Sequence, residues 1–160
     1  MYIPGMKNSI KNQLFYLLLL IAVTIFAASC AGDAELDQRA QTLAQETIIV
    51  DGHIDLPFRL RNNWEDISRQ TENGDFDYVR AIEGGLNAPF MSIYIPARYQ
   101  ETGGAKAVAD SLIDMVEGLA QKHPDKFAIA TSPEEIQQQF GRGLISLPMG
   151  MENGAPIGEN

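Results

Sequence analysis

The chain has 160 residues, 45% of them apolar, with 14 Gly, 8 Pro and one Cys. That is the composition of a globular domain, neither fibrous nor disordered. A formal charge of -9 leaves no basic patch to neutralise phosphates, which argues against a nucleic-acid partner, and the single cysteine excludes an internal disulfide.

At the N-terminus, Lys7 and Lys11 precede a 15-residue apolar run, Leu14 to Ala28, interrupted only by Thr24. A membrane span needs about 20 residues, so the run reads as the core of an export signal. The small residues Ala27-Ala28-Ser29 before Cys30 resemble the cleavage site of a bacterial lipoprotein, where the cysteine is lipidated and becomes the new N-terminus. Ala27 stands where that motif usually has Leu. Ordinary secretory cleavage after Ser29 is the plainer alternative. The expectation is a signal peptide of lipoprotein type over residues 1–29, a lipid on Cys30, and export to the cell envelope with the protein anchored to membrane. Residues 30–46 would then be an anchor and helix, and residues 47–160 the folded domain.

Asp33 to Thr47 reads as a helix capped by Asp33, with Leu36, Ala40, Leu43 and Ala44 at helical spacing. Residues 47–51 are a β-branched strand, apolar enough to be buried on both faces of a parallel sheet. Residues 59–75 are polar and read as a long loop around Trp64, followed by a short helix over 76–83. Gly84-Gly85 punctuates, and residues 88–95 form a second strand that ends at Pro96. Val108, Leu112, Met115, Val116 and Leu119 make one stripe of a helix over 105–122, which Pro124 stops. Phe127 to Ala130 is short and extended. Ser132 as N-cap, Pro133 at the first position and Glu135 at the third predict a helix that runs to Phe140 and ends at Gly141. Leu144 to Met149 is a third strand, leading to Gly150-Met151-Glu152-Asn153-Gly154. Strands alternate with helices, so the class is α/β with parallel pairing.

The chemistry concentrates in Val50-Asp51-Gly52-His53-Ile54-Asp55. Strand residues two apart share a face, about 6.6 Å apart along the strand, so His53 and Asp55 can converge on one cation. Imidazole and carboxylate are both zinc ligands. The plainer alternative is a capping aspartate and a hydrogen-bonded histidine in a turn. Gly52 would let the strand bend or a neighbour approach closely. Asp51 could support a ligand from behind or bond nearby backbone. Glu152, between Gly150 and Gly154 just past a buried strand, is a candidate metal bridge or base at the functional rim of a barrel, or else a solvated loop residue. His123, at a helix end, is expected to be exposed and structural. Glu134 and Glu135 are helix-start residues. Trp64 with Arg59 and Arg61 could line a substrate mouth, though an ordinary polar loop explains them. There is no nucleophile elbow, phosphate-binding loop or dinucleotide fingerprint.

Together these pieces resemble the membrane (renal) dipeptidase family of zinc peptidases, which are amidohydrolase-type barrels. The resemblance is carried by Val50 to Pro57, by Gly84-Gly85-Leu86-Asn87-Ala88-Pro89-Phe90-Met91-Ser92-Ile93-Tyr94-Ile95-Pro96, by Ala130-Thr131-Ser132 with its acidic helix start, and by Gly150 to Gly154. It covers residues 38–160 in family order. Asn153 is a departure, since many members have Gly there. The resemblance implies the N-terminal part, about three βα units, of a TIM-type (β/α)8 metallohydrolase barrel. It implies two zinc ions, one held by His53 and Asp55 and bridged by Glu152 to the second, which polarise a peptide carbonyl and activate water. The implied substrates are dipeptides, and an oligomer is compatible with the family.

The two histidines of the family's second zinc would come from later strands, and no histidine follows His123. No residue of this chain is therefore assigned as catalytic beyond the metal ligands, and the chain alone is expected to be inactive, with an open sheet edge and an apolar inner face. Two rival readings remain. One is a non-catalytic surface lipoprotein that binds a ligand and retains barrel ancestry. The other is an amidohydrolase with another substrate, against which His-x-Asp in place of His-x-His argues.

Overall fold

A computed structural model describes Met6 to Gly158, and within the first helix the side chains of residues 12–20 and from 34 onward. Residues up to Leu43 and residues from Ala44 form two separate compact units. Helix α1 runs unbroken over Met6–Glu46. The expected start at Asp33 is therefore corrected, because Asp33 lies inside the helix. A lone interior glycine, here Gly32, costs a helix only about 1 kcal/mol and does not stop it. Among the described residues, no helix is long and apolar enough to cross a membrane.

In the second unit the elements are β1 (Ile49–Ile54), α2 (Leu56–Asn62), α3 (Tyr78–Gly84), β2 (Leu86–Tyr94), α4 (Arg98–Thr102), α5 (Ala105–Lys122), β3 (Phe127–Ile129), α6 (Pro133–Phe140), β4 (Ile145–Leu147) and β5 (Met149–Glu152), then a 3-10 turn over Ala155–Ile157. All observed pairings are parallel. One sheet has the order β1-β2-β5, and β3 pairs with β4 in a second. The third strand expected from the sequence is thus two short strands. Pro148, which has no N–H to give a ladder, separates them, although its carbonyl still accepts a bond from Met91 N–H at 2.8 Å.

Strand β2 is central because its alternation serves two faces. Met91, Ile93 and Ile95 are each at most 1% exposed, in one apolar cluster with Val108, Leu112, Val116 and Leu119 of α5 and Phe127, Ile145 and Leu147 of the second sheet. Ser92 and Tyr94 fall on the opposite face. The α5 stripe is as the spacing predicts, and so is α6, where Ser132 Oγ accepts from Glu135 N–H and Glu135 reaches back to Thr131 N–H.

Two segments depart from expectation. Part of the anticipated loop at 59–75 is helix α2, and Arg98–Thr102 forms an extra short helix. What remains of the loop is organised by charge. Arg59 bonds Glu65 and the carbonyls of Asn73 and Phe76, so it holds the loop together. His123 is also corrected. Its side chain is only 18% exposed and its Nε2 lies 3.6 Å from Asp66 Oδ1. The helix end that carries it is packed against the ordered loop.

Gly85 caps α3 in the left-handed region, at φ 76, and a Cβ there would lie 2.4 Å from the Ala44 carbonyl oxygen. No other residue type fits this approach.

Asp77 is fully buried at the start of α3, where its carboxylate accepts from Arg80 N–H and Thr71 N–H and pairs with the Arg80 guanidinium. Burial alone would push this carboxyl up, but those bonds and that charge hold it below its ordinary value of 3.8. A lowered folded-state value means that the ionised form stabilises the fold above the ordinary value, and that this contribution is lost as pH falls through the folded value. Asp77→Ala is expected to destabilise the chain by about 2–3 kcal/mol in urea unfolding, through loss of the cap and of the partner to Arg80. The variant should also lose part of the acid dependence below about pH 4. An unchanged acid limb would show that Asp77 is not its source.

Candidate metal centre

Strand β1 leaves regular pairing where the site begins. Its register against β2 shifts between Asp51 and Ile54, opposite Pro89, which cannot donate to the ladder. Gly52 lies in this irregular stretch with nothing within 4 Å of its would-be Cβ, so no close approach requires it. The strand runs on to Ile54, beyond the expected end at Asp51, so His53 stands at its C-terminal tip and Asp55 just past it. Asp51 Oδ1 accepts from the His53 backbone N–H at 2.9 Å and so fixes the backbone of that residue.

Asp55 occupies the N-cap position of α2 but makes no side-chain cap bond. Pro57 in the first turn removes one of the N–H groups that such a cap would bond. The carboxylate is left free, and its Oδ1 lies 3.3 Å from His53 Nε2. Glu152, the last residue of β5, arrives from the other side of β2, in register with Tyr94. Its Oε2 lies 3.2 Å from the same His53 Nε2. One imidazole nitrogen therefore stands between two carboxylate oxygens, and donor atoms of all three residues lie within 4.8 Å of one another. The side chains of His53, Asp55 and Glu152 are 51%, 61% and 45% exposed, so the cluster opens to solvent. Among the described residues it is the one group of this kind. A nitrogen and two carboxylate oxygens, all able to offer lone pairs to one point, are a donor set that fits a divalent cation such as zinc.

The structure thus brings His53, Asp55 and Glu152 together. It keeps Asp51 on the backbone and His123 with Asp66 elsewhere. The side chain of Cys30 lies outside the described residues. Sequence reasoning missed Ser92, which is 3% exposed and donates from Oγ to Glu152 Oε2 at 2.9 Å. Its signal was available, since it is a polar residue at an alternating position between Met91 and Ile93 on a strand that flanks both ligand-bearing strands.

The family description "Membrane dipeptidase (Peptidase family M19)" matches residues 37–160. The chain belongs to this family. It is 29% identical over 126 residues to "Dipeptidase ataJ" of Aspergillus terreus, covering 71% of this chain and 31% of that one. It resembles the crystal structure of the probable dipeptidase PvdM from Pseudomonas aeruginosa, with a TM-score of 0.66 and 21% identity over 79% of this chain and 33% of the other. It also resembles a metallo peptidase from Rhodobacter sphaeroides, liganded with a phosphinate mimic of the dipeptide L-Ala-D-Ala, with a TM-score of 0.59 and 20% identity over 68% of this chain and 39% of that one. The chain spans about a third of the length of these relatives. These structural likenesses establish the fold class as an α/β portion of a TIM-type barrel.

Asn153, the departure from the family's usual Gly, has φ 82. Asparagine enters this left-handed region because its short amide can bond locally. Here Nδ2 donates to Ile95 O at 2.9 Å, across to the end of β2, and Oδ1 accepts from Ala155 N–H at 3.0 Å. Asn153→Ala is expected to lower stability by about 2 kcal/mol, and Asn153→Gly by less than half as much, since glycine keeps the backbone geometry at no steric cost. Equal losses in thermal unfolding would show that backbone conformation is irrelevant at this position.

Proposed function

We propose that the protein is part of an exported, zinc-dependent dipeptidase that hydrolyses the peptide bond of dipeptides. The observation that carries this reading is the convergence of His53, Asp55 and Glu152 on one point, in a chain of the membrane dipeptidase family. His53 and Asp55 would hold one zinc. Glu152 would bridge to a second, and among the described residues its Oε1 makes no hydrogen bond, which leaves that oxygen available. Bound zinc would polarise the scissile carbonyl and lower the pKa of a coordinated water.

The chain's own residues prepare this centre. Asp51 fixes the His53 backbone. Asp55 is released from capping duty, and Glu152 is delivered by strand pairing. Relatives that bear the name dipeptidase, and one structure with a dipeptide mimic bound, support dipeptides as the substrate class. The test is hydrolysis of dipeptides by the protein as its cell produces it. Activity should disappear on dialysis against a chelator, return with zinc, and fall at least about a thousandfold in His53→Ala. Hydrolysis that survives exhaustive chelation would contradict the metal reading.

The N-terminal residues 1–29 are proposed to be a signal peptide of lipoprotein type, with Cys30 lipidated and holding the enzyme on the membrane. Two anchoring signals are usual where one acyl chain binds only weakly, and bacterial lipoproteins carry several chains on the one cysteine. Cys30→Ala should move the protein from the membrane fraction to the soluble exported fraction. An unchanged membrane fraction would remove the anchor from the account.

A further inference from the structure

We infer that Ser92 is a positioning residue for the metal centre, setting the orientation of the Glu152 carboxylate from a buried position on the central strand. This rests on the reading of His53, Asp55 and Glu152 as a metal site. The three ligands are all substantially exposed, and an exposed glutamate has several rotatable bonds whose freedom must be lost on binding an ion. Ser92 is the buried member of the group, held on the central strand at 3% exposure. An ionised carboxylate only accepts, so the Ser92 hydroxyl is the donor in its 2.9 Å contact with Glu152 Oε2.

The strand register makes this contact. Ser92 is paired with Gly150 and Tyr94 with Glu152, which places Ser92, Gly150 and Glu152 on one face. The oxygen that Ser92 holds is also the one 3.2 Å from His53 Nε2. One hydrogen bond therefore selects which oxygen faces the histidine and turns the other outward. The contact is not simply what a buried serine must find. Ser146, also buried at 1% exposure, has an Oγ with no partner.

The test is a double-mutant cycle read by calorimetric titration of the full chain with zinc alone, with folding of each variant checked by thermal unfolding. Ser92→Ala should weaken zinc binding about ten- to a hundredfold, the usual effect of removing a partner that orients a ligand. In the Glu152→Ala background the same change should alter affinity less than about twofold, because its target is gone. Equal weakening in both backgrounds, or none in either, overturns the inference. Wild-type and Glu152→Ala proteins of equal zinc affinity would instead sink the metal reading itself, and the Ser92 role with it. A crystal structure of the zinc-loaded wild-type chain gives the same answer without a variant. Ser92 Oγ should remain within hydrogen-bonding distance of Glu152, and a hydroxyl turned away contradicts the assignment.

Discussion

His53 and Glu152 stand far apart in the chain and on strands that do not touch each other. They meet because β2 lies between β1 and β5 and pairs in parallel with both. In parallel pairing the side chains of register partners share a face, so the pairing of Tyr94 with Glu152 and of Met91 with Ile54 decides what can converge at the sheet's end. A slip of one residue in either pairing would turn a ligand to the opposite, apolar face. The burial of Met91, Ile93 and Ile95 against α5 guards the register, since any slip would turn them out of that apolar cluster and put Ser92 and Tyr94 into it.

Local irregularities gather where the donors are. The register of β1 shifts beside Gly52, Pro89 interrupts the donor pattern of the central strand, Asp55 gives up its cap, and Asn153 takes a left-handed conformation. Each is unfavourable or neutral as local structure. Such departures are expected at functional sites, where side-chain aim outweighs regularity. The remainder of the second unit obeys the ordinary rules. A buried aspartate caps α3, a glycine ends it, and a serine with a glutamate three residues on opens α6.

Much of this could be read beforehand. The α5 stripe, the Ser132 cap and the strand after Gly85 are governed by short-range periodicity and capping, which one sequence displays in full. His53 with Asp55 was legible as a pair because strand geometry links residues two apart. Glu152 joined them through family resemblance, since nothing local says which distant strand lies on the far side of β2. The same long-range pairing hid Ser92, whose hydrogen bond exists only once β2 and β5 are in register. Helix α2 escaped notice because its seven residues are too few to display a helical period and a proline sits in its first turn. His123 looked like a solvated helix end, and only the folded loop that brings Asp66 to it explains its burial. The expected helix start at Asp33 failed because one glycine is too weak a break.

The central claim is that β2 assembles one cation site from a histidine and an aspartate on one side and a glutamate on the other. An anomalous difference map at the zinc absorption edge, from crystals of the protein grown with zinc, tests it most directly. The account predicts a peak about 2.0–2.2 Å from His53 Nε2 and from carboxylate oxygens of Asp55 and Glu152. A zinc peak at other residues, with this cluster empty at saturating zinc, would contradict it.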